Sequence, residues 1–410
     1  MKSDLEQLLG ERGLDGLWVT GAAQNNPAMV YFTGAALITG ADLLVRRGAP
    51  PVLFHHLMER DAAAATGLKT ITYQRYPMQP LLREAGGDRV RAAALRAARM
   101  LAEVGLTSGR VAICGQVEIG PVWGALNALT GLLPGLELVG EGDDSVLMQA
   151  RATKDPAEVE RIRQVGKITL AVVDELLNYL TTRPLRGESL LDQDGSPLRM
   201  GAVKEKIELW LLERGLDVPE GTIFSIGRAA GIPHSSGDPS DPLVLGKTLL
   251  LDIFPAERRG GYFFDFTRTW CLGYAPEAVQ DLYEQVEGVY SQVRARAFPG
   301  SAGGVLQDLA CDLFESRGHA TLRTDPQTES GYVHGLGHGV GLNIHEAPWL
   351  TGAAPGADIL RVGSVVTLEP GLYYPEREMG VRLEDTLLVD ETGAVPLLEY
   401  PKELVLPVPG

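Results

Sequence analysis

The sequence predicts a two-part chain: an α/β domain over residues 1–150, then a larger α+β domain over residues 151–410 built from two duplicated halves related by a pseudo-two-fold axis. Three observations predict it. With 410 residues the chain exceeds one ordinary hydrophobic core. Its front portion alternates short apolar runs with helical stretches, the pattern of a sheet flanked by helices. Its back portion contains two strand pairs, each carrying one carboxylate per strand.

In the front domain the strand candidates are Leu17–Thr20, Ala41–Arg46, Pro51–His55 and Arg110–Cys114. The longest helical stretch between them, about Leu81–Val104, is rich in Ala, Leu and Arg. No phosphate-cradling glycine loop follows any of these strands, so no nucleotide is assigned. A boundary falls near Ala150–Lys154, where Asp155-Pro156-Ala157-Glu158 gives an N-cap, a proline at the first helical position and a glutamate placed to cap reciprocally. That helix is expected to run to about Leu180. Leu185–Pro197 reads as a loop, and Met200–Arg214 as a second helix ended by Gly215.

Strands Lys247–Phe254 and Tyr262–Trp270 follow, joined through Pro255–Gly261 as a hairpin. Helices are expected over Glu277–Ala297 and Gly303–Ser316. After a glycine-rich loop, His334–His345, a second hairpin pairs Val365–Tyr373 with Gly380–Val389. The first hairpin carries Asp252 and Asp265 and the second Glu369 and Glu384, which is what two half-domains folded face to face would supply to one cavity.

Composition narrows the function. Apolar residues make up 45% and charged residues 22%, ordinary for a globular enzyme. A net charge of −16 argues against nucleic acid and against an anionic membrane as partners. Cys114, Cys271 and Cys311 lie far apart with no CxxC pair, so neither a disulfide framework nor a thiolate zinc site is indicated. The N-terminus lacks the apolar stretch of a signal peptide, and no 18-residue apolar run follows, so a cytoplasmic protein is expected.

Asp252 follows three leucines, a poor place for an anion unless it is paired or binds a metal. In YFFDFTRT, Asp265, Thr267 and Thr269 share one strand face by the two-residue period. HGLGHGVGLNIHE places His334, His338 and His345 among glycines that defeat a helix, so this is not the helical two-histidine zinc motif. With His234 in GIPHSSG, four of the seven histidines sit in such motifs. Glu369 ends an apolar strand at Pro370-Gly371, and Glu384 alternates with Arg382; a buried Arg–Glu pair is the plain alternative to a metal there. Four carboxylates and one imidazole can balance two divalent cations, and such a pair can activate water against an amide.

These motifs, in this order, resemble the pita-bread metallopeptidases: methionine aminopeptidase, aminopeptidase P and prolidase. The likeness runs from about Asp155 to Val389, with a creatinase-type N-terminal domain in front. The resemblance implies that Asp252 chelates one metal and His338 and Glu369 the other, with Asp265 and Glu384 bridging. It makes Glu369 the proton shuttle, His345 and His234 substrate-contacting groups, His334 a pocket-lining group and Arg382 an orienting neighbour of the last ligand. Oxygen donors with one imidazole favour Mn²⁺, with Zn²⁺ and Co²⁺ as the other candidates. The implied reaction is cleavage of the Xaa-Pro bond, in dipeptides first and in longer peptides as the aminopeptidase P alternative. Creatinase-type and non-catalytic members are the remaining readings, and retention of all five ligands argues against both. The implied assembly is a homodimer.

Three departures from the family pattern stand out. The loop Pro255–Gly261 is about two residues longer than usual, Ser364 replaces a methionine, and no arginine lies between Glu346 and Leu360. Well-known prolidases hold the dipeptide carboxylate with an arginine in that region. Arg361, or Arg46 and Arg47 of the first domain, are the substitutes the sequence offers.

Overall fold

The computed structural model describes residues 4–352 and 358–408. They form two compact units, divided between Arg151 and Ala152, with the short segment Arg259–Gly261 grouped with the first.

The first unit is a six-stranded mixed sheet of β1 (Gly16–Gly21), β2 (Ala41–Arg46), β3 (Val52–His55), β4 (Lys69–Thr72), β5 (Gly109–Gln116) and β6 (Leu136–Gly140). The strand order is β4-β3-β2-β1-β5-β6. Alternate residues build two separate cores. Leu17, Val19, Leu43 and Leu53 face one of them, and Trp18, Leu44, Val52 and Phe54 the other. Helices α1 (Arg89–Glu103) and α2 (Ile119–Leu132) supply apolar side chains to the second core.

The expected helix over Leu81–Val104 is broken. A short helix, Met78–Glu84, ends before Gly86 and Gly87, whose φ angles of +65° and +90° leave helical space. Asp88 then caps α1 by accepting from the Val90 and Arg91 amides. Strands β4 and β6 escaped the sequence reading because they are the sheet's edges, half exposed and without clean alternation.

The second unit opens with α3 (Pro156–Thr181), and its start is a capping box as expected. The Asp155 carboxylate accepts from the Ala157 and Glu158 amides while Glu158 accepts from the Asp155 amide at 2.7 Å. Helix α4 (Met200–Glu213) follows, after a polar segment that contains a minimal pair of two-residue strands, Leu185–Arg186 and Ser189–Leu190, rather than loop alone. Next come β7 (Thr222–Ile226), β8 (Thr248–Ile253) and β9 (Phe266–Leu272).

The second half repeats this plan: α5 (Glu277–Arg294), α6 (Gly303–Glu315), then β10 (Gly337–Gly339), β11 (Glu346–Leu350), β12 (Val365–Leu368), β13 (Gly371–Tyr374), β14 (Met379–Arg382) and β15 (Glu384–Asp390). Along the main sheet the order is β7-β8-β9-β15-β12-β10-β11. The β9–β15 seam thus relates β8 to β12 and β7 to β10, the pseudo-two-fold the sequence predicts.

Helix α5 buries Val279, Leu282, Val286, Val289 and Val293, an alternating three- and four-residue spacing that keeps one stripe on the core. Two details differ from expectation. The second hairpin is two nested pairs, β12 with β15 and β13 with β14. The glycine-rich run is not all loop, because His338 lies in the middle of strand β10.

Candidate active site

All nine residues singled out from the sequence line one cavity of about 620 Å³ in the second unit. The sheet puts them there. Asp252 is near the end of β8, Asp265 directly precedes β9, Glu384 opens β15, and Glu369 follows the last residue of β12. The Thr267–Glu384 register pairs the two halves across the seam, so each half delivers two carboxylates to the same space.

Donor atoms of Asp265, His338 and Glu384 lie within 4.8 Å of one another, and all three side chains are buried. His338 Nε2 is 3.4 Å from Glu369 Oε1 and 3.7 Å from Asp265 Oδ2. Its Nδ1 lies 3.1 Å from the Gly339 carbonyl, so the proton belongs on Nδ1 and the Nε2 lone pair faces the carboxylates. Burial, then the neighbouring His345, pushes the His338 pKa down to about 3, so the ring is neutral and fit to be a ligand.

The carboxylates show the opposite strain. Asp265 is pushed well above the usual range by burial and then by Asp252 and Glu369. Glu384 moves the same way through burial and Asp265. Burial and the Asp252 charge raise Glu369 to about 8 against the pull of Arg382. Asp252 Oδ1 and Asp265 Oδ1 are buried and accept no hydrogen bond. Crowded anionic oxygens with unsatisfied lone pairs suit divalent cations: the donor set fits the metals that the motifs imply.

Arg382 resolves the plain alternative in an unexpected direction. Its guanidinium pairs with Asp252, not with Glu384. It also donates to the Tyr373 hydroxyl at 2.6 Å and to Thr267 Oγ1 at 3.3 Å. Tyr373 in turn lies 2.8 Å from His334 Nε2, while His334 Nδ1 reaches the Gly335 carbonyl at 2.7 Å. The proton on Nδ1 therefore makes Nε2 the acceptor of the Tyr373 O–H. Burial lowers His334 to about 3, so this ring too is neutral.

Threonines hold the oxygens in place. Thr267 Oγ1 donates to Glu384 Oε2 at 2.6 Å, and Thr367 Oγ1 donates to Glu369 Oε1 at 3.3 Å while accepting from the His338 amide. Thr386 bonds both backbone groups of Asp265. Tyr373, Thr367 and Thr386 were missed in the sequence; the signal was present in VVTLEPGLYY and LEDT as polar side chains inside otherwise apolar strands.

His345 and His234 line the cavity with exposed rings, and the His345 ring centroid is 4.3 Å from that of His338. The cations among the described lining residues are Lys204 and Arg382. Arg361 is exposed and outside that lining, and Arg46 and Arg47 belong to the first unit.

Paired strand ends presenting carboxylates and one neutral imidazole to a peptide-sized cavity define a metal-dependent hydrolase. The chain belongs to metallopeptidase family M24, whose family model matches residues 160–391. A Xaa-Pro dipeptidase from Pyrococcus furiosus is 29% identical over 264 residues, 64% of this chain and 67% of that protein. Among solved structures, a dipeptidase from Pyrococcus horikoshii superposes with a TM-score of 0.74 at 23% identity over 98% of both chains. An X-Pro aminopeptidase from Thermotoga maritima gives 0.74 at 20% identity, covering 99% of this chain and 100% of that one. At these identities the two structures establish the fold, the pita-bread architecture behind a front α/β domain.

Proposed function

We propose that the protein is an Xaa-Pro dipeptidase that uses two divalent cations, Mn²⁺ first among them. The observation that carries this reading is the gathering of Asp252, Asp265, His338, Glu369 and Glu384 around one cavity, with a neutral imidazole and unsatisfied carboxylate oxygens. The Xaa-Pro dipeptidase relative gives the substrate class. Asp252 would hold one cation, His338 and Glu369 the other, and Asp265 and Glu384 both. When bound, such cations polarise a scissile carbonyl and lower the pKa of water.

The chain's own groups do the rest. Arg382 fixes Asp252 and, through Tyr373, the tautomer of His334. Thr367 occupies Glu369 Oε1, leaving Oε2 to take a proton from the attacking water and pass it to the leaving nitrogen. His345 and His234 meet the substrate at the exposed side of the cavity, where a ring N–H can donate to an oxygen that gains charge. A bond before proline is a tertiary amide without N–H, so recognition must come from the carbonyl and the chain ends. The three cysteines are all free, which suits a reducing cytoplasm, and the family resemblance supports a homodimer.

Product analysis on Ala-Pro and Met-Pro against Arg-Pro-Pro, with added Mn²⁺, tests the proposal. Release of free proline from the dipeptides is the expected result. Cleavage of the tripeptide alone would establish the aminopeptidase P reading, which the likeness to the Thermotoga maritima structure keeps in view.

A further inference from the structure

Outside the ligand set, Lys154 and Glu346 form a deeply buried ion pair beside the turn that carries His345. Their side chains are each 1% exposed, and Lys154 Nζ donates to Glu346 Oε1 at 2.7 Å. Lys154 is the residue before the N-cap of α3, and its amide is tied to the Gly363 carbonyl at 2.7 Å. Glu346 is the first residue of β11, directly after His345 and paired in register with Gly339 of β10.

The ion pair therefore fixes the end of the turn that runs from His338 to His345. Glu346 Oε2 accepts from the Asn343 amide within that turn at 3.2 Å. Gly341 lies so close that a Cβ there would stand 2.2 Å from Glu346 Oε1, so the backbone wraps against the carboxylate. The Gly341 carbonyl accepts from the Phe263 amide at 2.8 Å, which anchors the turn to the loop before β9.

We propose that Lys154 and Glu346 are positioning residues for the imidazole pair, holding the 340–345 turn so that His345 stands against His338 over the cavity. An ion pair buried this deeply stabilises no more than well-packed apolar side chains of the same volume would. What it adds is geometry, a directional tie of fixed length between the start of α3 and the one turn that joins an expected metal ligand to an expected substrate-contacting group. Neither side chain lines the cavity, so the pair acts through its neighbours and not on the substrate. This inference rests on the proposed roles of His338 and His345.

The test uses the full-length protein as Lys154→Met, Glu346→Gln and the double variant. Met-Pro hydrolysis is measured with Mn²⁺, and imidazole ¹H–¹⁵N spectra are recorded on the metal-free protein. Each single variant is expected to lose about 10- to 100-fold in kcat, as displaced supporting groups commonly do. The double variant removes both charges of the pair. It should regain thermal stability without regaining kcat, and its His338 and His345 resonances should differ from those of the native protein. A double variant that regains both stability and kcat, with unmoved resonances, would overturn the proposal and leave the pair a staple of the fold. If the single variants do not fold, the double variant carries the test. If the native protein releases no proline from Met-Pro, the dipeptidase reading fails, and the resonances alone decide the positioning role.

Discussion

Thr267 and Glu384 face each other across the β9–β15 seam, and the threonine hydroxyl donates to the glutamate at 2.6 Å while accepting from Arg382. One hydroxyl thus orients an expected bridging carboxylate and the guanidinium that serves Asp252. Thr267→Val preserves shape and removes both bonds. It should weaken Mn²⁺ binding by about 10- to 100-fold, as loss of a group supporting a ligand typically does. Calorimetric titration on protein whose circular dichroism is unchanged would check this, and native affinity in the variant would contradict it.

Chelation should abolish activity, and Mn²⁺ should restore it. Cations held at the proposed site would bind the folded protein and relieve the crowding of Asp265, Glu369 and Glu384, so they should also stabilise it. At a hundredfold excess over Kd the gain is about 2.7 kcal/mol for one site. Denaturant titrations with and without Mn²⁺ would measure it.

Beside Glu384, Asp385 receives Arg268 at 2.7 Å and Lys402 at 2.7 Å, and Arg268 is fully buried. Asp385→Asn leaves the buried guanidinium to backbone carbonyls with no carboxylate beside it, and should cost about 3–5 kcal/mol. Replacing both partners, as Arg268→Met with Asp385→Asn, should cost less than the single change. Equal losses in urea unfolding would show that the pair is not the source.

His319 bridges the Tyr374 hydroxyl and Gln285, and its pKa is lowered by burial and then by Arg317 and Arg377. The unfolded chain therefore takes up a proton at this residue before the folded one does. Its contribution is fully present above the unfolded pKa of about 6.5 and is lost as pH falls from there through the folded value. His319→Gln should flatten the decline in stability between pH 7.5 and 5.5. Parallel slopes for the two proteins would refute this.

The site was more legible than the scaffold around it for a physical reason. A carboxylate amid LLL or at the end of VVTL contradicts its own strand, and that contradiction is visible in one dimension. The Arg382–Asp252 pairing was not, because it depends on which side of Leu383 the chain turns between β14 and β15. Nor was the strand character of Gly337–Gly339, since glycine carries no β preference and only pairing with β11 and β12 makes it extended. The edge strands Lys69–Thr72 and Leu136–Gly140 were missed because half-exposed edges need no apolar alternation.

Because the seam leaves two of the expected donors in one repeat and three in the other, neither repeat owns a complete cage. With the proposed ligands, ion capture would wait until both repeats had docked, a late, folding-coupled event, and the loaded ion would be a clasp that resists their separation. Damage to either repeat, however remote from the chemistry, would register first as leakage of metal.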